Sequence, residues 1–243
     1  MLEDILIFVA IGFVAQLIDG ALGMAFGVIS TSSLLAFGVG PASASAMTHI
    51  AEMFTTAASG ASHIFHRNVD WKLFARLAPA GMAGGAIGAW LLSTVETDFL
   101  QTAVTLYLAA VGWYIVFKAF RPLWPRSVRD WLVPVIGFGG GALDAAGGGG
   151  WGPIVSGSLI GRGHEPRMVI GSANLTEFLV TSVISLTFIF ALGWTALSAA
   201  IGLIIGGVLA APFAGYLAKR IPTRPLMVAV GSIIVATSIY RLM

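Results

Sequence analysis

Four carboxylates stand inside apolar stretches of this 243-residue sequence: Asp19, Glu52, Asp144 and Glu177. An ionisable group placed so costs several kcal/mol unless it faces a polar interior or a wet cavity, so each marks a candidate site. Asp19 opens the glycine-rich break Asp19-Gly-Ala-Leu-Gly23, and Asp144 opens Asp144-Ala-Ala-Gly-Gly-Gly-Gly150. Glu52 lies eleven residues past Pro41 and Glu177 eleven past Pro166. At about 1.5 Å per helical residue, each therefore sits roughly 16 Å along its helix, near the middle of a bilayer. His49 and Asn174 precede these glutamates by three residues, and Thr56 and Thr181 follow by four, on the same helical faces.

These residue types allow two chemistries. A helix restarting after a glycine break presents unpaired N–H groups and the positive end of its dipole, which attract an anion. That reading assigns substrate contact to the backbone at Gly23, Met24 and Ala25 and at Gly148, Gly149 and Gly150, with His49, Asn174, Ser45, Thr48 and Ser172 adding polar groups. Trp151, beside the second glycine run, is expected to line the same cavity. Asp19 and Asp144 are assigned as caps of the half-helices, and Glu52 and Glu177 as either proton-coupling groups or structural pins. The other chemistry is proteolytic: two aspartates sharing a proton can activate water. The flanking sequences do not resemble known diaspartyl proteases, and that reading leaves the paired glutamates unexplained. No cysteine is present and no histidine pair has the spacing of an inward-facing zinc site, so neither metal nor cofactor is expected.

The elements that position these residues follow from composition. The chain is 57% apolar and only 10% charged, against about a quarter charged in soluble domains, so it reads as an integral membrane protein. No basic cluster suggests nucleic acid. Helices are expected at 5–18, 23–38, 42–65, 71–93, 98–118, 131–143, 149–160, 167–191, 195–218 and 223–242. Six of these are long enough to cross a hydrocarbon core of about 30 Å. The remaining four are shorter and form two pairs, each joined by a glycine-rich break, which read as broken or re-entrant helices.

Sliding the chain by 125 positions aligns Asp19 with Asp144, Gly23 with Gly148, Gly27 with Gly152, Pro41 with Pro166, Glu52 with Glu177 and Thr56 with Thr181. Chance similarity of apolar segments seldom matches acids and prolines in one register, so the chain reads as a duplicated unit. The first repeat covers 1–120, a basic connection 121–130, and the second repeat 131–243. Arg67 and Lys72, the central Lys118 to Arg129 run, Arg162 and Arg167, and Lys219 to Arg224 all fall on one side if each repeat crosses an odd number of times. The fold expected is thus all-α and membrane-embedded, with two inverted repeats, each a glycine-rich broken pair plus three long helices. Basic connections lie in the cytoplasm and both termini outside.

The duplicated Asp19…Gly23…Gly27 and Asp144…Gly148-Gly-Gly-Trp-Gly-Pro153 elements, with Glu52 and Glu177 at equal distance, resemble the TauE/SafE family of sulfite exporters. The similarity covers essentially the whole chain and is sharpest from the second glycine run through Pro166 and Gly171-Ser-Ala-Asn174. The first copy departs from the pattern at Gly-Ala-Leu-Gly-Met-Ala-Phe-Gly27 and at His49, where the second copy has Asn174. The resemblance implies a bacterial inner-membrane permease, not an enzyme, moving small sulfur-containing anions such as sulfite or an organosulfonate, in the export direction. Alternating access is the expected mechanism, with a passive anion channel as the alternative. The expected partners are the anion and membrane lipid, and a homodimer is left open.

Overall fold

The computed structural model describes residues 2–22, 24–95, 97–120, 130–161, 164–193, 197–218 and 222–243, and no strand occurs among them. Gly23, Trp124, Trp194 and the basic residues Arg121, Arg126, Arg129, Arg162, Lys219 and Arg220 lie outside the described residues. In the first half the helices are α1 (Leu2–Leu22), α2 (Phe26–Ala36), α3 (Pro41–Phe65), α4 (Trp71–Thr94) and α5 (Thr97–Ala119). The second half has α6 (Leu132–Gly147), a π-helical segment (Trp151–Ser156) running into α7 (Gly157–Gly161), then α8 (Pro166–Leu192), α9 (Leu197–Ala218) and α10 (Thr223–Leu242).

Helix ends follow local chemistry. Pro41 and Pro166 each occupy a first helical turn, where a missing N–H costs nothing. Asp70 caps α4 by accepting from the backbone N–H groups of Lys72 and Leu73. Gly148 ends α6 at φ 65°, the left-handed conformation that favours glycine. The spans read from sequence need two corrections. The first member of each broken pair runs further than expected: α1 has 21 residues and is long enough to cross a membrane, and α6 continues to Gly147. The aspartates therefore sit inside the last turn of a helix rather than in the break. The second member of the second pair begins as a π-helix, whose wide turns accommodate Pro153 without its N–H.

Among the described residues, three helices are both long and apolar enough to cross a membrane: Phe99–Ala119, Arg167–Leu192 and Arg224–Leu242. Helix α3 has 25 residues, about 37 Å of helix, but its Ser, Thr, His and Glu stripe lowers its mean hydropathy. That stripe is turned inward, with Ser45, Thr48, His49, Glu52 and Thr56 all buried. Outward-facing positions are apolar instead: Trp113, Phe190, Phe213 and Ile233 are each more than half exposed. A water-soluble protein does not carry such a surface, whereas lipid demands it.

The halves interleave. Helix α1 packs along α9 and α4 along α6, while α3 packs on α8 and α5 on α10. In the 125-residue register, α1 corresponds to α6 and α4 to α9, so the first two contacts are equivalent. Small residues make both possible. Gly84 and Gly88 touch the α6 backbone at Phe138 and Ala142, and Gly202 and Gly206 touch α1 at Phe8 and Val9. At one end of the bundle the basic connections meet. Arg167 reaches Asn68 and the His66 carbonyl, Arg76 and Lys72 reach Asp130, and Arg224 lies over the Phe120 ring.

Candidate functional site

Each glycine break forms a tip, and the two tips touch. Gly27 packs directly on the Gly148 carbonyl, so close that a Cβ there would overlap it. The equivalent contact sets Gly152 against Met24, where a Cβ would stand 2.5 Å from the Met24 Cα. Around them lies a small cavity lined by Asp19, Met24, Ala25, Phe26, Gly27, Glu52, Thr55, Thr56, Gly148, Gly152, Pro153, Asn174 and Glu177. It offers about 20 Å³ to the centre of a water molecule, room for about one water.

The aspartates bind the tips in matching ways. Asp19 Oδ1 accepts from the N–H groups of Ala25 (2.7 Å) and Phe26 (3.1 Å). Asp144 Oδ1 accepts from Gly150 and Trp151, both at 3.0 Å. Ala25 and Phe26 are the register equivalents of Gly150 and Trp151, so this is the geometry of two half-helix caps. A carboxylate at a helix C-terminus opposes the dipole of its own helix, and the two N–H groups of the next helix offset that. The glutamate helices repeat one another as well. Thr56 donates to the Glu52 carbonyl at 2.6 Å and Thr181 to the Glu177 carbonyl at 2.8 Å. His49 Nδ1 lies 2.8 Å from the Ser45 carbonyl, and Asn174 Nδ2 donates to the equivalent Ile170 carbonyl at 2.9 Å.

Of the tip N–H groups assigned to the anion, three are already in use. Ala25 and Gly150 donate to the aspartates, and Gly148 donates to the Asp144 carbonyl. Of the other candidates, Met24, Ala25, Gly148 and Asn174 line the cavity. Gly149 faces Val28, Val111 and Tyr107. Trp151 is fully buried, its indole N–H donating to the Ala173 carbonyl at 3.0 Å and its ring filling the notch over Gly81. Ser172, five residues before Glu177 on α8, is bonded to the Asp70 backbone and does not line the cavity. Thr48 accepts from Thr31, and Ser45 donates to the Ala145 carbonyl at 2.6 Å, stitching α3 to α6.

His49 meets the acids rather than the cavity. Its Nε2 lies 3.4 Å from Asp144 Oδ2 and 4.0 Å from Glu52 Oε2. One ligand atom from each of these three residues falls within 4.8 Å of the others. Zinc bonds of about 2.0–2.2 Å need a tighter set, ordinarily with a fourth ligand. The proteolytic alternative needs the two aspartates to share a proton, whereas each caps its own tip and the free oxygen of Asp144 faces His49. Residues that sequence reasoning missed are Thr55, Phe26 and Pro153 in the cavity wall, and Tyr107, whose buried hydroxyl has no hydrogen-bond partner. Only Thr55 carried a usable signal, one turn beyond Glu52.

Comparison with known proteins agrees with this architecture. The family described as "Sulfite exporter TauE/SafE" matches residues 8–241. A Bacillus subtilis (strain 168) protein, "Probable membrane transporter protein YtnM", is 38% identical over 244 residues, covering 96% of this chain and 81% of that protein. No solved structure matches. With the match running almost from end to end over a helical, lipid-facing fold, the chain is a membrane transport protein belonging to the TauE/SafE sulfite exporter family.

Proposed function

We propose that the protein moves small sulfur-containing anions, sulfite or an organosulfonate, across the bacterial inner membrane by alternating access about the two tips. The observation that carries this is the cavity between Gly27 and Gly148, walled by residues of both repeats. It has room for about one water, so an anion enters only when the tips part. Parting toward one face and then the other is what two inverted repeats rocking about a fixed site accomplish. The contacts joining Asn68 with Arg167, Arg76 near the start of α4 with Asp130, and Phe120 with Arg224 support placing all four basic connections in the cytoplasm and both termini outside. So small a cavity favours this over a passive channel on the same scaffold.

With the tip N–H groups occupied, the anion is drawn by displacing carboxylates from them. Asp19 and Asp144 then act as internal stand-ins for the substrate, holding donors in place until it arrives. A monoanion travelling alone is pushed outward by about 2.3 kcal/mol per 100 mV of cytoplasm-negative potential, which makes export its downhill direction. The test is tracer competition in proteoliposomes with sulfite, sulfate, thiosulfate, sulfoacetate and simple carboxylates. Saturable counterflow with sulfite or sulfoacetate ahead of sulfate and carboxylates is expected. Flux that never saturates would favour the channel, and carboxylates winning would redirect the substrate class.

A further inference from the structure

The register equivalents His49 and Asn174 differ in one chemical respect that the duplication does not explain, since only His49 can carry a variable proton. Their shared contact is the carbonyl one turn back. On His49 that contact fixes the ring. Nδ1 has two neighbours, the Ser45 carbonyl at 2.8 Å and the Ser45 hydroxyl at 3.2 Å. The carbonyl only accepts, and the hydroxyl hydrogen is spent on the Ala145 carbonyl at 2.6 Å. Nδ1 therefore carries the hydrogen, and in a neutral ring Nε2 is a bare lone pair.

That lone pair has two carboxylate oxygens near it, at 3.4 and 4.0 Å. Asp144 Oδ2 and Glu52 Oε2 are the nearest groups, and neither these oxygens nor Nε2 has a hydrogen-bond partner. Their residues are 1%, 4% and 0% exposed, and the Phe188 ring lies against His49 at 6.5 Å between centroids. Three lone pairs turned on one another away from water repel. One proton turns repulsion into attraction, as an imidazolium between carboxylates or a carboxyl donating to Nε2. Asp144 cannot turn away to relieve the repulsion, because its Oδ1 holds two backbone N–H groups.

We propose that His49 Nε2, Asp144 Oδ2 and Glu52 Oε2 hold one proton shared between the two repeats, and that this proton travels with the anion. The inference rests on the transport reading above and names its coupled ion. The site spans the halves, since His49 and Glu52 belong to α3 and Asp144 to α6. Glu52 also belongs to the cavity wall, together with Asp19 and Glu177. The ionisable groups around the proton are Asp19 from α1, Glu177 from α8 and Tyr107 from α5. A proton here removes one negative charge from the wall an anion must face. Each therefore strengthens the binding of the other by the same factor, so both cross in one direction. Asn174 in the equivalent place accepts from Ser59 and has no proton to give, so one site serves each chain. A monoanion moving with one proton is electroneutral, and concentration gradients rather than the membrane potential then set its direction.

The test uses the full chain in proteoliposomes enclosing a pH-sensitive dye, with methanesulfonate as probe because it stays ionised and releases no proton itself. One proton per anion is expected, with flux falling about tenfold per pH unit once the site deprotonates. In His49→Asn the proton-to-anion ratio falls to zero at whatever rate remains. A ratio unchanged in that variant overturns the proposal. So does flux abolished by a chelator and restored by Zn²⁺, which would make the three donors a metal site. Should the variant carry nothing, ¹⁵N-histidine NMR of the wild type decides: Nδ1 stays protonated while Nε2 titrates and shifts on adding methanesulfonate. An Nε2 indifferent to pH, or a bare Nδ1, refutes the site. Wild-type vesicles moving no anion of any kind would sink the transport reading alone, because the NMR titration still reports on the proton.

Discussion

Gly27 and Gly148 meet backbone to backbone, with no side chain between them, where the two glycine breaks cross. The contact brings two half-helix starts to one cavity, and it is repeated by Gly152 against Met24. Four carboxylates that are far apart in sequence thereby become neighbours.

Adding a methyl group at this crossing should separate the tips. Gly27→Ala is expected to cost about 1–3 kcal/mol of stability through overpacking, and Gly148→Ala more, since φ 65° adds backbone strain. Gly139 in α6 has nothing within 4 Å of its would-be Cβ, so Gly139→Ala should be neutral or stabilising by up to about 1 kcal/mol. Thermal unfolding in detergent compares the three. Equal losses would mean that the crossing is not tight.

Removal of a cap should cost more than removal of its charge. Asp19→Ala strands the N–H groups of Ala25 and Phe26, a penalty of about 1–3 kcal/mol for each buried donor. Asp19→Asn keeps an acceptor oxygen and should retain most of that stability. Unfolding temperatures of the two variants, together with amide exchange at Ala25 and Phe26, check the order. Asparagine proving as damaging as alanine would show that the charge, not the hydrogen bonds, holds the tip.

Trp151→Phe should lose stability rather than substrate affinity. It leaves the Ala173 carbonyl without its donor and thins the packing over Gly81, together worth about 1–3 kcal/mol. A large rise in KM at unchanged stability would return Trp151 to the cavity wall.

At the basic face, the Arg76 guanidinium hydrogen-bonds Asp130 at 2.7 Å and holds its carboxyl below the ordinary value of 3.8. A carboxyl depressed in the folded state stabilises above its unfolded value, and the contribution disappears as pH falls through the lower folded value. The pair is exposed, so its effect is small and weakens with salt. In Arg76→Gln the Asp130 carboxyl should return toward its ordinary range, as carboxyl NMR titration would show. No movement would mean that Lys72, 3.9 Å away, holds Asp130 alone.

Much of this architecture was legible in the residues. Apolar runs gave the helices, matched acids and prolines gave the duplication, and Asp19 and Asp144 could be paired with the half-helix starts, because the hydrophobic pattern and the local reach of a carboxylate are short-range properties. Helix ends near the breaks were misplaced because Gly20-Ala-Leu22 and Ala145-Ala-Gly147 continue a helix in the folded chain, whatever glycine costs in isolation. What only the tertiary structure decided is where free valences point. Sequence spacing places His49 one turn before Glu52, but the approach of α6 turns its Nε2 onto Asp144, 95 positions further along the chain. Likewise, the capture of the freed tip N–H groups by Asp19 and Asp144 is local, but the meeting of the two tips at Gly27 and Gly148 is not. A hydrogen bond is satisfied by whichever partner folding brings within about 3 Å, and in this chain that choice is made between helices rather than along them.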